Sequence, residues 1–308
     1  MKIEYAIIIK SKTRLELLTD RFNTKAQAKF YIESLGGDFN DYVLEHENFH
    51  TSINKVQKQL SNVIKNKIVE RPYISSFLFA PNHLILVVGQ DGLVANTAKY
   101  ANNVPIIGIN PDKQRYDGVL LPFNSENFIA GVDEVISGGA YKFRMASMAE
   151  AKLNDGQRLL AFNDLFIGAS SHVSARYKIN FHNKSESHSS SGIIVSTKSG
   201  ATGWLSSIFN MANGIQASVN KGKATRKYPV LDDNKLVFAV REPFASVTTQ
   251  TDICIGTITK TMSLQVESLM PTNGVIFSDG IESDFVSFNS GSIATIGIAQ
   301  ETAKLVEL

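Results

Sequence analysis

Three short polar segments interrupt the apolar sequence of this chain, and their residue types suit the binding of phosphate and sugar groups. The first, Gly89-Gln90-Asp91-Gly92, lies between the apolar run LILVV (84–88) and a helical pattern. A buried strand followed by glycine, a carboxylate and a helix start is a place where phosphate binds, because free backbone N–H groups and the positive helix end attract anions. A structural turn would use the same residues for their geometry. The segment alone leaves both interpretations open.

The second and third segments lie further along the chain. Asn163 and Asp164 stand side by side in the apolar stretch LAFNDLFIG, where an unpaired buried charge is costly. An amide both donates and accepts, and a carboxylate accepts from two neighbouring hydroxyls, so this pair suits the edge of a ribose. The alternative is a structural pair satisfied by the backbone. The third segment, STKSGATGW (196–204), is rich in hydroxyls and glycine and joins a strand pattern to a helix pattern.

The elements that position these segments fall into two parts. Up to residue 123, apolar β runs alternate with helical periodicity, the pattern of a parallel sheet with crossover helices. The predicted strands are IEYAIII (3–9), DYVLEH (41–46), HLILVVG (83–89) and VPIIGI (104–109), and the predicted helices cover residues 14–35, about 52–66 and 94–101. Residues 126–136 predict a short helix that follows.

From about Tyr141 the pattern becomes β. The predicted strands are YKFRMASMAEAKL (141–153), RLLAFNDLFIG (158–168), SGIIVST (191–197), KLVFAVRE (235–242) and MSLQVES (262–268). Asn154-Asp155-Gly156 predicts a hairpin turn between the first two. Residues 203–217 predict a helix, and SESHSSS (185–191) predicts a mobile loop.

These patterns predict three regions. An α/β N-terminal domain with a Rossmann-like parallel sheet covers residues 1–124, and a β-rich, β-sandwich-like domain covers 125–290. A C-terminal segment, 291–308, is expected to return to the first domain.

Composition narrows the function classes. The 308 residues carry 31 Lys and Arg against 29 Asp and Glu, a net charge of +2, and no local basic patch stands out. We therefore expect neither nucleic acid nor an anionic membrane as a partner. Cys254 is the single cysteine, which rules out an internal disulfide and suits a reducing compartment. No apolar run approaches the roughly 18 residues of a spanning helix, and MKIEYAIII predicts a strand rather than a targeting peptide. We expect a cytoplasmic protein.

In order, the three segments resemble the signatures of the NAD kinase superfamily: Gly-Gly-Asp-Gly, Asn-Glu/Asp, and a Thr-Pro-Thr-Gly-Ser-Thr-Ala-Tyr type segment. The stretch IIGINPDKQRYDGVLLPF (106–123) is similar to the mitochondrial-type branch, and VREPF (240–244) and IFSDGIESDF (276–285) resemble a strand and an Asp-Gly hairpin of that family. The resemblance covers residues 84–285. NAD kinases transfer the γ-phosphoryl of ATP, with Mg²⁺, to the 2′-hydroxyl of the adenosine ribose of NAD, giving NADP.

The resemblance implies roles for individual residues. Asp91 would be the catalytic base, and the phosphate-binding residues would be Gly89, Gln90 and Gly92. Asn163 and Asp164 would hold the ribose and diphosphate side of NAD.

The third segment would line the adenine and nicotinamide pockets through Thr197, Thr202, Gly203 and Trp204. Trp204 stands where the family usually has tyrosine, and its ring suits either base stacking or the core. The resemblance also implies a homodimer or homotetramer.

Departures from the family pattern leave other functions open. Gln90 replaces the second glycine of the first signature, Lys198 replaces the usual proline or glycine, and Ser191 stands where many bacterial members have Asp. The alternatives to an NAD kinase are a related lipid or sugar kinase of the same superfold, and a nucleotide-binding regulator with weak or no kinase activity.

A competing motif, His46-Glu47-Asn48-Phe49-His50, fits H-E-x-x-H, which binds Zn²⁺ when both histidines lie on one helix. We predict a strand that ends near Glu47 and a helix that begins at Thr51 or Ser52. The histidines would then straddle a loop, so we assign no metal ligand.

Three further groups of residues receive structural or solvent roles. We expect exposed side chains at His182 and His188, solvated cations at Lys113 and Arg115, and a simple turn at Asp279-Gly280.

Overall fold

The computed structural model describes residues 2–138, 142–219 and 228–308. The chain forms two compact units, Met1–Met145 with Ala303–Leu308, and Ala146–Thr302. Tyr141, where the predicted β region begins, lies outside the described residues. None of the helices in the described ranges combines the length and apolar composition that a membrane span requires.

The first unit is built on a parallel sheet. Its elements are β1 (Tyr5–Lys10), α1 (Arg14–Phe22), α2 (Lys25–Ser34), α3 (Phe39–Leu60), β2 (Lys65–Glu70), a 3₁₀ turn (Arg71–Tyr73), β3 (His83–Val88), α4 (Asp91–Ala98), β4 (Pro105–Asn110), β5 (Phe123–Asn124) and α5 (Phe128–Ser137). The parallel strands follow the order β2-β1-β3-β4, and β5 pairs with the end of β4. The buried strands are continuous apolar runs, as expected where helices cover a parallel sheet.

The second unit is β-rich. Its elements are β6 (Phe143–Leu153), β7 (Arg158–Ala161), β8 (Asp164–Ala169), β9 (Ala175–Phe181), β10 (Lys184–Ser190), β11 (Ile193–Ser196), α6 (Trp204–Val219), β12 (Leu236–Val240), β13 (Ile255–Ile258), β14 (Leu264–Ser268), β15 (Gly274–Ser278), β16 (Ile281–Ser287) and β17 (Ile293–Val306). One antiparallel sheet has the order β13-β12-β11-β8-β15-β16, and a second contains β10-β9-β14-β17. Residues of both sheets, among them Ile167, Ile193, Ile179 and Val266, share one buried cluster. The unit is therefore a sandwich.

Strands β6 and β17 each continue from one unit into the other, because the division between the units falls within both strands. Near the end of β17, Lys304 and Leu305 pair in parallel with Pro105 and Ile106 of β4. The first unit also extends beyond the expected limit at residue 124, because α5 contributes Phe128 and Val132 to the core of that unit.

Two predictions for the first unit are wrong in detail, and one strand has no counterpart among the predictions. DYVLEH is not a strand but part of α3, which Asp38 caps and which buries Phe49, Ile53 and Val56 at helical spacing. The predicted helix 14–35 is two helices, because Asn23 adopts a left-handed φ of 63° and Thr24 caps the second. Strand β2 was not predicted, because the lysines in its sequence KNKIVE leave no apolar run that would indicate a strand.

In the second unit, the hairpin at Asn154-Asp155-Gly156 is confirmed between β6 and β7, with Gly156 at a φ of 90°. The predicted single strand RLLAFNDLFIG is divided into β7 and β8. SESHSSS is not a mobile loop but most of β10, in which Glu186, His188 and Ser190 are buried in alternation. The expected exposure of His188 is therefore wrong.

Candidate functional site

The first polar segment forms the turn from β3 into α4. Asp91 is the first residue of α4, and Gln90 precedes it in an extended conformation as the N-cap, without a side-chain capping hydrogen bond. Gln90 and Gly92 are exposed, and the side chain of Asp91 is half-buried. The predicted helix start at this turn is confirmed, so the segment lies at the positive end of a helix dipole.

A loop from the next strand fixes the carboxylate of Asp91. The backbone N–H of Leu120 donates to its Oδ1 at 2.6 Å. Gly108 in β4 permits this, because a Cβ there would stand 2.0 Å from the carbonyl oxygen of Leu120. The loop that follows β4 thus lies across the strand and holds the carboxylate in one orientation.

Gly92 has no structural need to be glycine. A Cβ at this position meets nothing within 4 Å, and its φ lies outside the left-handed region. Gly89 differs, because a Cβ there would come within 2.9 Å of the flexible Leu93 side chain. Open space at an exposed helix N-terminus is what close approach of an anion requires.

The second segment occupies a break between two strands. The carboxylate of Asp279 accepts the N–H groups of Phe162, Asn163 and Asp164 at 3.1, 2.6 and 3.3 Å. Asp279 and Gly280 have left-handed φ values of 55° and 71°, so the predicted turn is present. Because one side chain satisfies three consecutive amides, the chain leaves the sheet at Asn163 without burying unpaired donors.

Asp164 presents a buried carboxyl group at this break. Among the described residues, its Oδ1 has no hydrogen-bond partner. Burial raises the pKa of Asp164 to about 7, the negative charge of Asp279 adds to the rise, and a hydrogen bond with Ser196 opposes it. A buried polar oxygen without a partner calls for an explanation, and a hydrogen-bond donor on a ligand is one.

The third segment packs directly on the second. The N–H of Thr197 donates to the carbonyl of Asn163 at 2.9 Å. A Cβ on Gly200 would stand 2.3 Å from that same carbonyl oxygen and 2.8 Å from Oδ1 of Asp164. Glycine is therefore required at position 200, and two of the three predicted segments form one cluster.

Thr197 is buried inside the turn, and the ligand contact that the resemblance implies for it stays a prediction. It is 1% exposed. Its hydroxyl donates to the carbonyl of Phe162 at 2.6 Å and accepts the N–H of Gly200 at 3.2 Å. Both interactions are internal, and they set the path of the turn.

The remaining residues of the segment lead into α6. Thr202 and Gly203 are exposed, and Trp204 begins the helix. The Trp204 ring stacks on Phe166 with 5.8 Å between centroids and an interplanar angle of 3°. The guanidinium of Arg241 lies 5.2 Å from its centroid. These contacts pack the ring against its neighbours, and a role of Trp204 in base stacking stays a prediction.

Arg115, expected to be a solvated cation, is ion-paired, and Lys198, which replaces the usual proline or glycine, is exposed and also ion-paired. Lys198 contacts Asp233 at 2.7 Å, and Arg115 contacts Asp41 at 2.5 Å. Sequence reasoning missed Leu120, Gly200 and the anchoring role of Asp279. The left-handed preference of Asp-Gly indicates the turn, but no local pattern indicates which amides the carboxylate accepts.

Comparison with known proteins identifies the fold. No protein-family model and no curated protein matches the chain. Among solved structures, an NAD kinase from Archaeoglobus fulgidus in complex with ATP matches with a TM-score of 0.56 and 14% identity, over 99% of this chain and 94% of that chain. Yeast NADH kinase complexed with NADH matches with a TM-score of 0.56 and 12% identity, over 100% and 84% of the two chains.

The chain therefore has the fold of the NAD kinases. An α/β unit with a parallel sheet and a β-rich unit form that fold here, which confirms the predicted fold class. At 12–14% identity the likeness shows the fold alone.

Proposed function

We propose that the protein is an NAD kinase-like phosphotransferase that moves the γ-phosphoryl group of ATP to the 2′-hydroxyl of the adenosine ribose of NAD. The bond between the γ-phosphorus and the β,γ-bridging oxygen breaks, and a new bond forms from phosphorus to the ribose oxygen. The hydroxyl proton leaves, so the products are NADP, ADP and a proton. Mg²⁺ enters as part of the ATP substrate.

Asp91 accepts the hydroxyl proton in this proposal. Its carboxylate is held by Leu120 at the start of α4, where the helix N-terminus favours phosphate. A fixed carboxylate can orient the hydroxyl for in-line attack and take its proton as the new bond forms. Gly89, Gln90 and Gly92 are the proposed phosphate-binding residues of the same turn.

The acceptor side depends on one observation above all, the buried Asp164 carboxyl beside Gly200, whose Oδ1 has no hydrogen-bond partner in the part of the chain that the structure describes. Two ribose hydroxyls would supply the missing donors, and the amide of Asn163 would add a second polar group. We assign Thr202 and Gly203 to the edge of the same site, because both are exposed residues of the turn.

A coupled assay tests this function. Purified protein is incubated with NAD and Mg·ATP, and NADP is measured with an NADP-specific dehydrogenase. Asp91→Asn should lower the rate by about 10²–10⁴-fold while NAD affinity stays within a few fold, since size is kept and proton acceptance is lost. Asp133→Asn, an exposed carboxylate of the same unit, is the matched control.

The outcomes separate the candidates. NAD binding without NADP formation would favour a nucleotide-binding regulator, the possibility raised by Gln90. Labelling of a lipid or sugar from γ-labelled ATP, without NAD binding, would favour a kinase with another acceptor. An unchanged rate in Asp91→Asn would remove that residue from the mechanism.

Three further features belong to the same proposal. We assign the chain to the mitochondrial-type branch on the stretch 106–123, and we expect a homodimer or homotetramer, to be measured by light scattering. A cytoplasmic location fits a reaction on soluble nucleotides.

A further inference from the structure

The H-E-x-x-H motif lies on one continuous helix. His46 and His50 are both within α3, four residues apart, and their ring centroids are 4.3 Å apart. The predicted loop between them is therefore wrong. The reason for assigning no metal ligand, that the two histidines would lie on either side of a loop, no longer holds. Residues at i and i+4 share one face of a helix, which brings two imidazoles to one point.

A carboxylate from another helix completes the cluster. Glu16 belongs to α1, and its Oε1 lies 3.1 Å from Nε2 of His50. One ligand-type atom from each of Glu16, His46 and His50 lies within 4.8 Å of the other two. Tetrahedral zinc ligands at about 2.0–2.1 Å from the ion are about 3.3 Å apart, so modest side-chain rotation closes the set.

Outer hydrogen bonds orient two of the three side chains. The N–H of Thr13 donates to Oε2 of Glu16 at 2.7 Å, which leaves Oε1 directed at His50. The Thr13 hydroxyl lies 3.0 Å from Nδ1 of His46. If the ring donates Nδ1–H to that hydroxyl, Nε2 carries the lone pair that a cation needs. Such second contacts are characteristic of metal-ligating side chains.

We propose that Glu16, His46 and His50 form a binding site for a divalent transition-metal ion of the zinc type. Two imidazoles and one carboxylate are a ligand set that Zn²⁺ accepts, with water as the fourth ligand. The three side chains are half-buried, so solvent reaches the site. None of the three residues belongs to the Asp91 turn, and the proposal does not rest on the proposed kinase reaction.

The ion would clamp α1 to α3. Glu16 comes from α1, and both histidines come from α3, so coordination joins two helices that already pack on each other. Glu47, which follows His46 on the helix, is exposed and is not part of the cluster. We therefore assign the site to binding and stabilisation and not to hydrolysis.

Metal titration of the full chain tests the proposal. After chelator treatment, Zn²⁺ is titrated by calorimetry and Co²⁺ by its visible d–d absorption. One equivalent should bind, with cobalt bands typical of four-coordination, and saturating Zn²⁺ should raise Tm because the ion binds only the folded chain. His46→Ala and His50→Ala should each weaken binding by 10-fold or more.

Three variants sharpen the result. Glu16→Gln keeps an oxygen for the Thr13 N–H but loses the charge, so it should weaken the metal without loosening the helix cap. Glu47→Gln and His172→Ala, at exposed positions outside the cluster, should bind like the wild type. No saturable one-equivalent binding, or binding that His46→Ala and His50→Ala leave intact, would overturn the proposal. Circular dichroism confirms that each variant is folded.

Discussion

At the scale of single residues, two glycines of the candidate site differ in what they are for. The fold requires glycine at position 200, since a Cβ there would lie 2.3 Å from the backbone carbonyl oxygen of Asn163. Gly92 faces open space and needs no unusual φ. The comparison separates a glycine required for folding from one that the structure leaves free for a ligand.

Alanine at each position tests this difference. Gly200→Ala should lower the free energy of unfolding by about 1–3 kcal/mol, because the backbone must shift. Gly92→Ala should keep or slightly raise stability, by up to about 1 kcal/mol, yet raise KM for ATP if phosphate approaches there. Urea unfolding and steady-state kinetics give the two quantities. Equal stability losses in both variants would contradict the assignment.

The buried Asp164 carboxyl gives a pH-dependent signature. Its pKa is raised from 3.8 to about 7, so the folded chain keeps a proton that the unfolded chain loses near pH 4. The free energy of unfolding therefore falls as the pH rises from about 4 to above 7, because the folded chain must then lose a proton that the unfolded chain has already lost. Asp164→Asn, which stays neutral, should raise Tm relative to the wild type at pH 8 and much less at pH 4. Calorimetry at pH 4 and pH 8 measures the two Tm values. An equal Tm difference between variant and wild type at both pH values would exclude Asp164 as the source of the pH dependence.

Gln90 offers a test of the altered first signature. Its side chain is exposed and makes no capping hydrogen bond, so the turn does not depend on it. Gln90→Gly should preserve or raise the rate of NADP formation if the side chain obstructs phosphate. A large fall in kcat with unchanged stability would instead give Gln90 a role of its own.

At the scale of elements, the break between β7 and β8 depends on one carboxylate. Asp279 accepts three backbone N–H groups across the break. Asp279→Ala should cost about 3 kcal/mol of stability, because buried donors lose a charged acceptor, and should weaken NAD binding. Asp279→Asn, which tolerates the left-handed φ, should cost less. Glu282→Ala on the following strand is the control, and similar losses in all three would refute the anchoring role.

At the scale of the whole molecule, the end of the chain stabilises its beginning. Ala303, Leu305 and Val306 are buried in the first unit beside β4. Truncation after Thr302 should lower the free energy of unfolding by about 4 kcal/mol or more, since the buried side chains of Leu305 and Val306, that of Ala303, and a strand pairing are lost. Deletion of the exposed Leu308 alone should have little effect. Thermal unfolding of both truncations measures the difference.

The sequence by itself determined the class of fold, because apolar periodicity and turn residues act locally. HLILVVG, VPIIGI and the Asn-Asp-Gly hairpin specify strands and a turn from neighbouring residues alone. The sequence also indicated the three polar segments, because buried polar groups cost free energy unless they have a hydrogen-bond partner or a ligand. Helix α3 shows the limit, because DYVLEH fits a strand over six residues and a helix only over twenty-two.

Tertiary structure alone decided which groups meet. Asp279 reaches amides 115–117 residues away, and Gly200 fits against the Asn163 carbonyl. Glu16 meets His50 from another helix. These contacts depend on the packing of separate elements, which no local spacing encodes. For the same reason, the burial that raises the pKa of Asp164 and the clustering of Glu16 with two histidines became visible only in the folded chain.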